Sequence, residues 1–224
     1  MKEALTFLFY LILGLAFFIP VSLYGAQFLG IHNEAKISFS TLANMIQDVG
    51  EGEIVSSGIF MDSKSVIVGF SKDANKFENH EYDERDNDNP DMIVAVFDRP
   101  KGCGDNKACI CHCKNVDLNP KSSFLRGETY TLSCDNAECK TFDSIDFLPE
   151  KVASREGTTK RYIWKGGFLH LRGIPARANG LIYNELGTRT FYAQRYKNFV
   201  DVCLSSPCIT DEIKDKIDKS GLVT

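Results

Sequence analysis

What this chain lacks removes several classes of chemistry at once. It has no G-x-S-x-G elbow, no G-x-x-x-x-G-K-[ST] phosphate loop, no H-E-x-x-H helix and no G-x-G-x-x-G turn. Histidine is scarce, with only His32, His80, His112 and His170 in 224 residues. His80-Glu81 lacks the second histidine that a zinc protease helix carries. No cysteine precedes Cys103, and no C-x-x-C pair occurs anywhere, so the knuckles of a structural zinc site are missing. No catalytic residue is assigned and no cofactor is expected. A hydrolase whose triad assembles from distant residues leaves no local mark and stands as an alternative.

Charge is the next absence. From Ala4 to Ala26 there is no Asp, Glu, Lys or Arg, and Leu, Phe and Ile dominate the run. About 20 helical residues cross the hydrocarbon core of a bilayer, so the run is long enough. Pro20 would kink a soluble helix but is tolerated in a membrane span. Residues 1–30 are therefore expected to form an N-terminal transmembrane anchor. The rival is a cleaved secretory signal, whose apolar region usually runs about 7–15 residues before a small-x-small site. Here the run is longer, and a cut before Gln27 would place bulky Tyr24 at the third position upstream. Orientation is weakly marked, because Lys2 is offset by Glu3 on one flank while His32, Glu34 and Lys36 follow on the other.

The net charge of −4 is mild, but its distribution is not. Nine acidic residues fall between Asp73 and Asp98, and ten basic ones between Lys151 and Val200. Such polarity along the chain is invisible in the net value. Within the acidic part, Asp86-Asn87-Asp88-Asn89-Pro90-Asp91 suggests calcium. An EF-hand starting at Asp86 would need Gly at its sixth position and Glu at its twelfth, where Asp91 and Phe97 stand. The stretch from Asp73 to Asp91 is expected to be a solvated loop.

The rest reads as one mainly β domain, α+β overall. Phe39, Leu42, Met45, Ile46 and Val49 recur at helical spacing, predicting a short amphipathic helix from Ser38 to Val49, capped by Ser38 or Ser40 and stopped at Gly50. Ser57–Met61 and Ser65–Phe70 flank Asp62-Ser63-Lys64 and predict a hairpin. Met92–Phe97 predicts a central strand, and Tyr130–Cys134 a further one. Arg161–Lys165 and Phe168–Arg172 predict strands joined across Gly166-Gly167 as a two-residue hairpin. Gly180–Asn184, Thr188–Ala193 and Phe199–Cys203 complete the strands, and Thr210–Ser220 predicts a terminal helix around Ile213 and Ile217. Strands at this spacing favour a sandwich- or barrel-like antiparallel β domain with short flanking helices. The expected organisation is an anchor over 1–30, a helix and connector over 31–52, and the β domain over 53–224.

The eight cysteines, Cys103, Cys109, Cys111, Cys113, Cys134, Cys139, Cys203 and Cys208, are the candidate disulfide formers. Cys134–Cys139 and Cys203–Cys208 each enclose four residues of turn-forming type, short enough to bring the ends within bridging distance. On an extended Ala108–Cys113 run, Cys109, Cys111 and Cys113 would share a face and reach across to other segments, with Cys103 a nearby partner. Connectivity is not fixed by spacing, since eight cysteines allow 105 pairings. The metal alternative uses Cys109, Cys111 and Cys113 with His112, although His112 on a strand would point away from the sulfurs. Bridges require an oxidising compartment, which places the domain outside the cytoplasm.

The anchor, the following helix, the Met61–Phe70 segment and the Ala108-Cys-Ile-Cys-His-Cys113 run together resemble uncharacterised single-span archaeal membrane proteins with a cysteine-containing extracytoplasmic domain. The resemblance implies an anchored domain and brings no known activity with it. A last lead is the basic, aromatic C-terminal half, where Arg155, Lys160, Arg161, Lys165, Arg172, Arg177, Arg189, Arg195 and Lys197 alternate with Tyr162, Trp164, Phe168, Tyr183, Tyr192 and Tyr196. Such surfaces attract polyanions; otherwise the rings fill the core and the charges solvate the opposite strand face. The expectation is a non-enzymatic, single-pass cell-membrane protein. Its extracytoplasmic domain would bind a protein or an anionic envelope component, and nucleic acid is not an expected partner. A metal or redox role of the cysteine cluster is the main alternative.

Overall fold

A computed structural model describes residues 34–61, 65–83, 92–114, 116–123, 127–134, 136–154, 160–172 and 187–219, together with Ile12, Gly14, Ala16 and Phe18. Helix α1 covers 34–48. The strands are β1 (Ile54–Met61), β2 (Ser65–Phe70), β3 (Lys76–Asp83), β4 (Met92–Asp98), β5 (Ala108–Lys114), β6 (Asp117–Ser123) and β7 (Gly127–Ser133). They continue with β8 (Asn136–Phe142), β9 (Asp146–Phe147), β10 (Glu150–Ser154), β11 (Lys160–Lys165), β12 (Gly167–Arg172), β13 (Gly187–Tyr196) and β14 (Phe199–Cys203). Helix α2 (Asp211–Lys219) follows, and a 3-10 turn at Lys101–Cys103 precedes β5.

The strands form three sheets, ordered β1-β13-β14-β9, β12-β2-β5-β8 and β10-β11-β3-β4-β7-β6. The chain is mainly β, as its pattern predicts. The antiparallel expectation holds for most described pairings, but β4 with β7 and β14 with β9 run parallel.

Stacking order follows from which residues share a core. Phe39, Leu42, Ile46 and Val49 pack with Ile67, Ala108 and Ile110 and with Phe191, Ala193, Val200 and Val202. That core fills the space under α1, between the β1-β13-β14-β9 sheet and the β12-β2-β5-β8 sheet. Val66, Val68, Phe70, Cys109, Cys111 and Cys113 pack instead with Phe77, Ala95, Phe97 and Leu132 of the six-stranded sheet. The β12-β2-β5-β8 sheet is thus the middle layer, covered on both faces at β2 and β5 and exposed along much of its edge strand β8. This is why every residue of β2 is buried, and every residue of β5 up to Cys113. A smaller core holds α2 through Ile217, Ile209 and Phe199 on the outer face of β14.

Two expected hairpins are not hairpins. β1 pairs with β13, while β2 pairs with β12 and β5 in another sheet. The physical difference is burial: β2 is covered on both faces, whereas β1 alternates at an edge. Likewise β11 pairs with β10 and β3, and β12 pairs with β2. Gly166 (φ +85°) and Gly167 (φ +135°) carry the chain from one sheet to the next. A Cβ on Gly167 would lie 2.0 Å from the Gly69 carbonyl oxygen, so the corner admits only glycine.

The helix expected from Ser38 begins earlier, and Ser38 is no cap. Its hydroxyl oxygen accepts the Phe60 N–H at 3.0 Å, tying α1 to β1. The acidic stretch is not all loop either, because 76–83 forms β3; residues 84–91, with the calcium-like run, lie outside the described residues. So do Asp62-Ser63-Lys64 and Gly180–Asn184.

Of the expected anchor, only Ile12, Gly14, Ala16 and Phe18 are described; all four are helical, and Ile12 and Phe18 are exposed. Among the described residues no helix is long and apolar enough to cross a membrane.

Candidate functional site

The strongest concentration of chemistry lies on β5. Period-two alternation sends Cys109, Cys111 and Cys113 into the core facing the six-stranded sheet, and Ala108 and Ile110 into the core under α1. His112 goes with the latter set, its ring 5.6 Å from that of Phe39. The metal grouping of three thiolates with His112 therefore does not assemble, because the imidazole is on the opposite face.

All eight cysteines are bridged. The pairs are Cys103–Cys109, Cys111–Cys139, Cys113–Cys134 and Cys203–Cys208. Cys203–Cys208 closes the four-residue loop as its spacing suggests, and Cys103 takes a β5 partner. Cys134 and Cys139 do not join each other. Cys139 sits directly opposite Cys111 in the β5–β8 register, with Cα atoms 4.1 Å apart. Cys134 reaches Cys113 across a 5.6 Å Cα separation. The sheet register prevails over the local loop, since β8 is already laid along β5 from Ala108 to Lys114.

The turn carrying Cys103 is held by a residue that spacing does not flag. Arg99 Nη1 donates to the carbonyl oxygens of Ser71 (2.8 Å), Lys72 (3.4 Å) and Ala74 (2.9 Å). Its Nη2 donates to those of Gly104 (3.1 Å) and Lys107. One guanidinium thus joins the loop after β2 to the loop before β5, and burial lowers its pKa. Beside it, Asp146 accepts the N–H groups of Lys72 (2.9 Å) and Phe147 (2.8 Å). Burial raises the Asp146 pKa, against the pull of those two bonds. Nothing but a surface charge is legible in Arg99 from sequence alone, since its role depends on five carbonyls from two distant loops.

Within this frame two bridges touch. Cys103 Sγ and Cys111 Sγ, which belong to different disulfides, are 3.3 Å apart. The sulfurs of Cys103, Cys111 and Cys139 all lie within 4.8 Å of one another. Cys103, Cys109 and Cys111 are fully buried, whereas Cys139 is half-buried.

Other candidates are absorbed into the fold. Trp164 packs against both large cores, with Lys151 Nζ 5.8 Å from its ring centre. Lys151 pairs with buried Asp201. Tyr196 donates to Asp218 at 3.0 Å, and Lys197 pairs with Asp218 at 2.6 Å. Phe168 is core, and Tyr192 packs beside α2. Of the other residues in the basic, aromatic lead, Lys165, Arg189 and Arg195 are partly buried strand residues. The side chains of Arg155, Lys160, Arg161, Tyr162, Arg172, Arg177 and Tyr183 lie outside the described set. His80 is buried with Nε2 3.1 Å from Glu78 Oε2, while His170 occupies β12 opposite Ile67.

No protein-family model matches the chain, and searches against curated proteins and solved structures return no match.

Proposed function

We propose that the chain is a single-pass membrane protein whose disulfide-clamped β domain lies outside the cytoplasm and binds a protein or an anionic envelope component. The observation that carries this reading is the complete pairing of eight cysteines, three bridges converging on one buried strand. Cytosolic thiols are kept reduced, and bridges persist in oxidising compartments. The charge-free run from Ala4 to Ala26 supplies a span. Helical geometry with exposed apolar side chains at Ile12 and Phe18 supports that reading, as lipid-facing positions require both. A binding role is supported by where the reactive side chains go. Cys113–Cys134 and the Lys151–Asp201 pair join different sheets, and the other bridges and Arg99 tie strands and loops within them. A rigid surface binds a partner at low ordering cost.

Protease treatment of sealed right-side-out vesicles tests the topology. Digestion of the domain without detergent is expected; protection until the vesicles are opened would overturn the assignment. Intact-mass measurement of the detergent-extracted protein should show a chain lighter than its reduced form by the hydrogens that four bridges remove.

A further inference from the structure

The contact between two bridges on β5 has a chemical consequence that neither bridge has alone. We infer that Cys103, Cys109, Cys111 and Cys139 form a thiol–disulfide exchange relay, in which a small-molecule thiol attacking Cys139 is answered by transfer of the break to Cys109. This does not depend on the membrane reading and would stand if that reading failed.

Entry is set by exposure and geometry. Cys139 is half-buried, under the turn at Gly102, where the methyl group of an alanine would come to 3.4 Å of its sulfur. A partly covered sulfur is reached more readily by a small thiol than by a protein one. The Cys111–Cys139 bridge also joins directly opposed residues at a Cα separation of 4.1 Å, the shortest of the four. Cystines usually span about 4.4–6.8 Å, and more compressed ones reduce more readily.

The steps balance without an added oxidant. An external thiolate bonds to Cys139 Sγ, the Cys111–Cys139 bond breaks, and Cys111 leaves as a thiolate. A thiolate at a fully buried site is strongly disfavoured, because it is held away from water. Cys103 Sγ is 3.3 Å away. The sulfur of Cys113, two residues along the strand, is roughly 6.6 Å distant by strand repeat. Cys111 therefore bonds to Cys103, the Cys103–Cys109 bond breaks, and Cys109 takes up the proton that the external thiol lost. The products are a mixed disulfide on Cys139, a Cys103–Cys111 bridge and a free Cys109 thiol. One thiol is consumed and one is released.

Limited incubation of the full detergent-extracted chain with reduced glutathione, acid quenching, alkylation and peptide mapping tests this. Glutathione on Cys139, a Cys103–Cys111 linkage and more alkyl label on Cys109 than on Cys111 are expected. Label on Cys111 with Cys103–Cys109 intact would overturn the relay, as would first attack at Cys134. A second measurement uses Cys139→Ser, which leaves Cys111 unpaired without any added thiol. Label divided between Cys109 and Cys111 supports the relay, and label confined to Cys111 overturns it. Should that variant fail to fold, Cys109→Ser gives the mirror test: Cys103 freed beside the second bridge should pass label on to Cys139. Label held wholly on Cys103 contradicts the mechanism.

Discussion

At Gly167 a single methyl group would meet the Gly69 carbonyl at 2.0 Å, on a backbone at φ +135°. Gly167→Ala is expected to cost about 2–3 kcal/mol from the backbone conformation alone, lowering Tm by roughly 5–10 °C. A thermal melt followed by circular dichroism checks it, and an unchanged melt would mean the corner relaxes freely. The Lys151–Asp201 pair sets a different kind of constraint. Asp201 is buried, which raises its pKa, while Lys151 draws it back down. Lys151→Met leaves a buried carboxylate alone, at a cost of about 3–5 kcal/mol near neutral pH. Because the folded pKa of Asp201 then rises further above the unfolded value, stability is full below the unfolded pKa and is lost as pH rises through the folded one. Urea unfolding at pH 7 and near pH 4 should thus show a much larger penalty at pH 7. The side-chain directions on β5 were legible at this scale, since strand alternation alone separates the three sulfurs from His112. Cys103 as a β5 partner and the Cys203–Cys208 pair were legible too, but the partners of Cys111 and Cys113 were not, because the register of β8 against β5 is set by contacts that spacing does not encode.

Elements were legible where periodicity was strong. The apolar stripe of α1 is buried as its spacing predicts, with Met45 only partly covered. Phe39→Ala is expected to cost about 3–5 kcal/mol. Ile37→Ala, on the exposed face of the same helix, should change stability by less than about 0.5 kcal/mol. Denaturant titration of both variants compares the two faces directly. Hairpins were misread because a short polar loop or a Gly-Gly pair marks a change of direction, not the sheet that the next strand joins. β3 was hidden for a related reason. Its sequence is rich in polar residues, yet Asn79 and His80 are buried, and only its pairing with β4 and β11 makes a strand of it. Among the bridges, nesting should level the cost of removal. Cys111–Cys139 encloses Cys113–Cys134. With the inner bridge kept, replacing Cys111 and Cys139 by serine opens a loop of only about eight residues and is expected to cost about 2.5 kcal/mol. The same change at Cys203 and Cys208, separated by 5, should cost about 2 kcal/mol. Losses in guanidinium unfolding that differ by more than about 1.5 kcal/mol would contradict the chain-entropy account.

For the whole molecule, the electrical polarity of the chain resolves into a neighbour relation. β3, from the acidic segment, lies antiparallel to β11, from the basic one. Asp83 stands opposite Lys160, and Glu78 opposite Lys165. The described ion pairs of Glu78 are with Lys76 and His80 on its own strand, so what the fold shows of the two segments is that they lie side by side in one sheet.

The middle sheet has one more consequence. A slip of β5 by a single residue would turn its three sulfurs toward α1 and its apolar residues toward the six-stranded sheet. None of Cys103, Cys134 or Cys139 would then be within reach. All three bridges on β5 close together only in the native register, so the finished set of cystines is a covalent record that two separate cores were assembled on the correct faces of one strand.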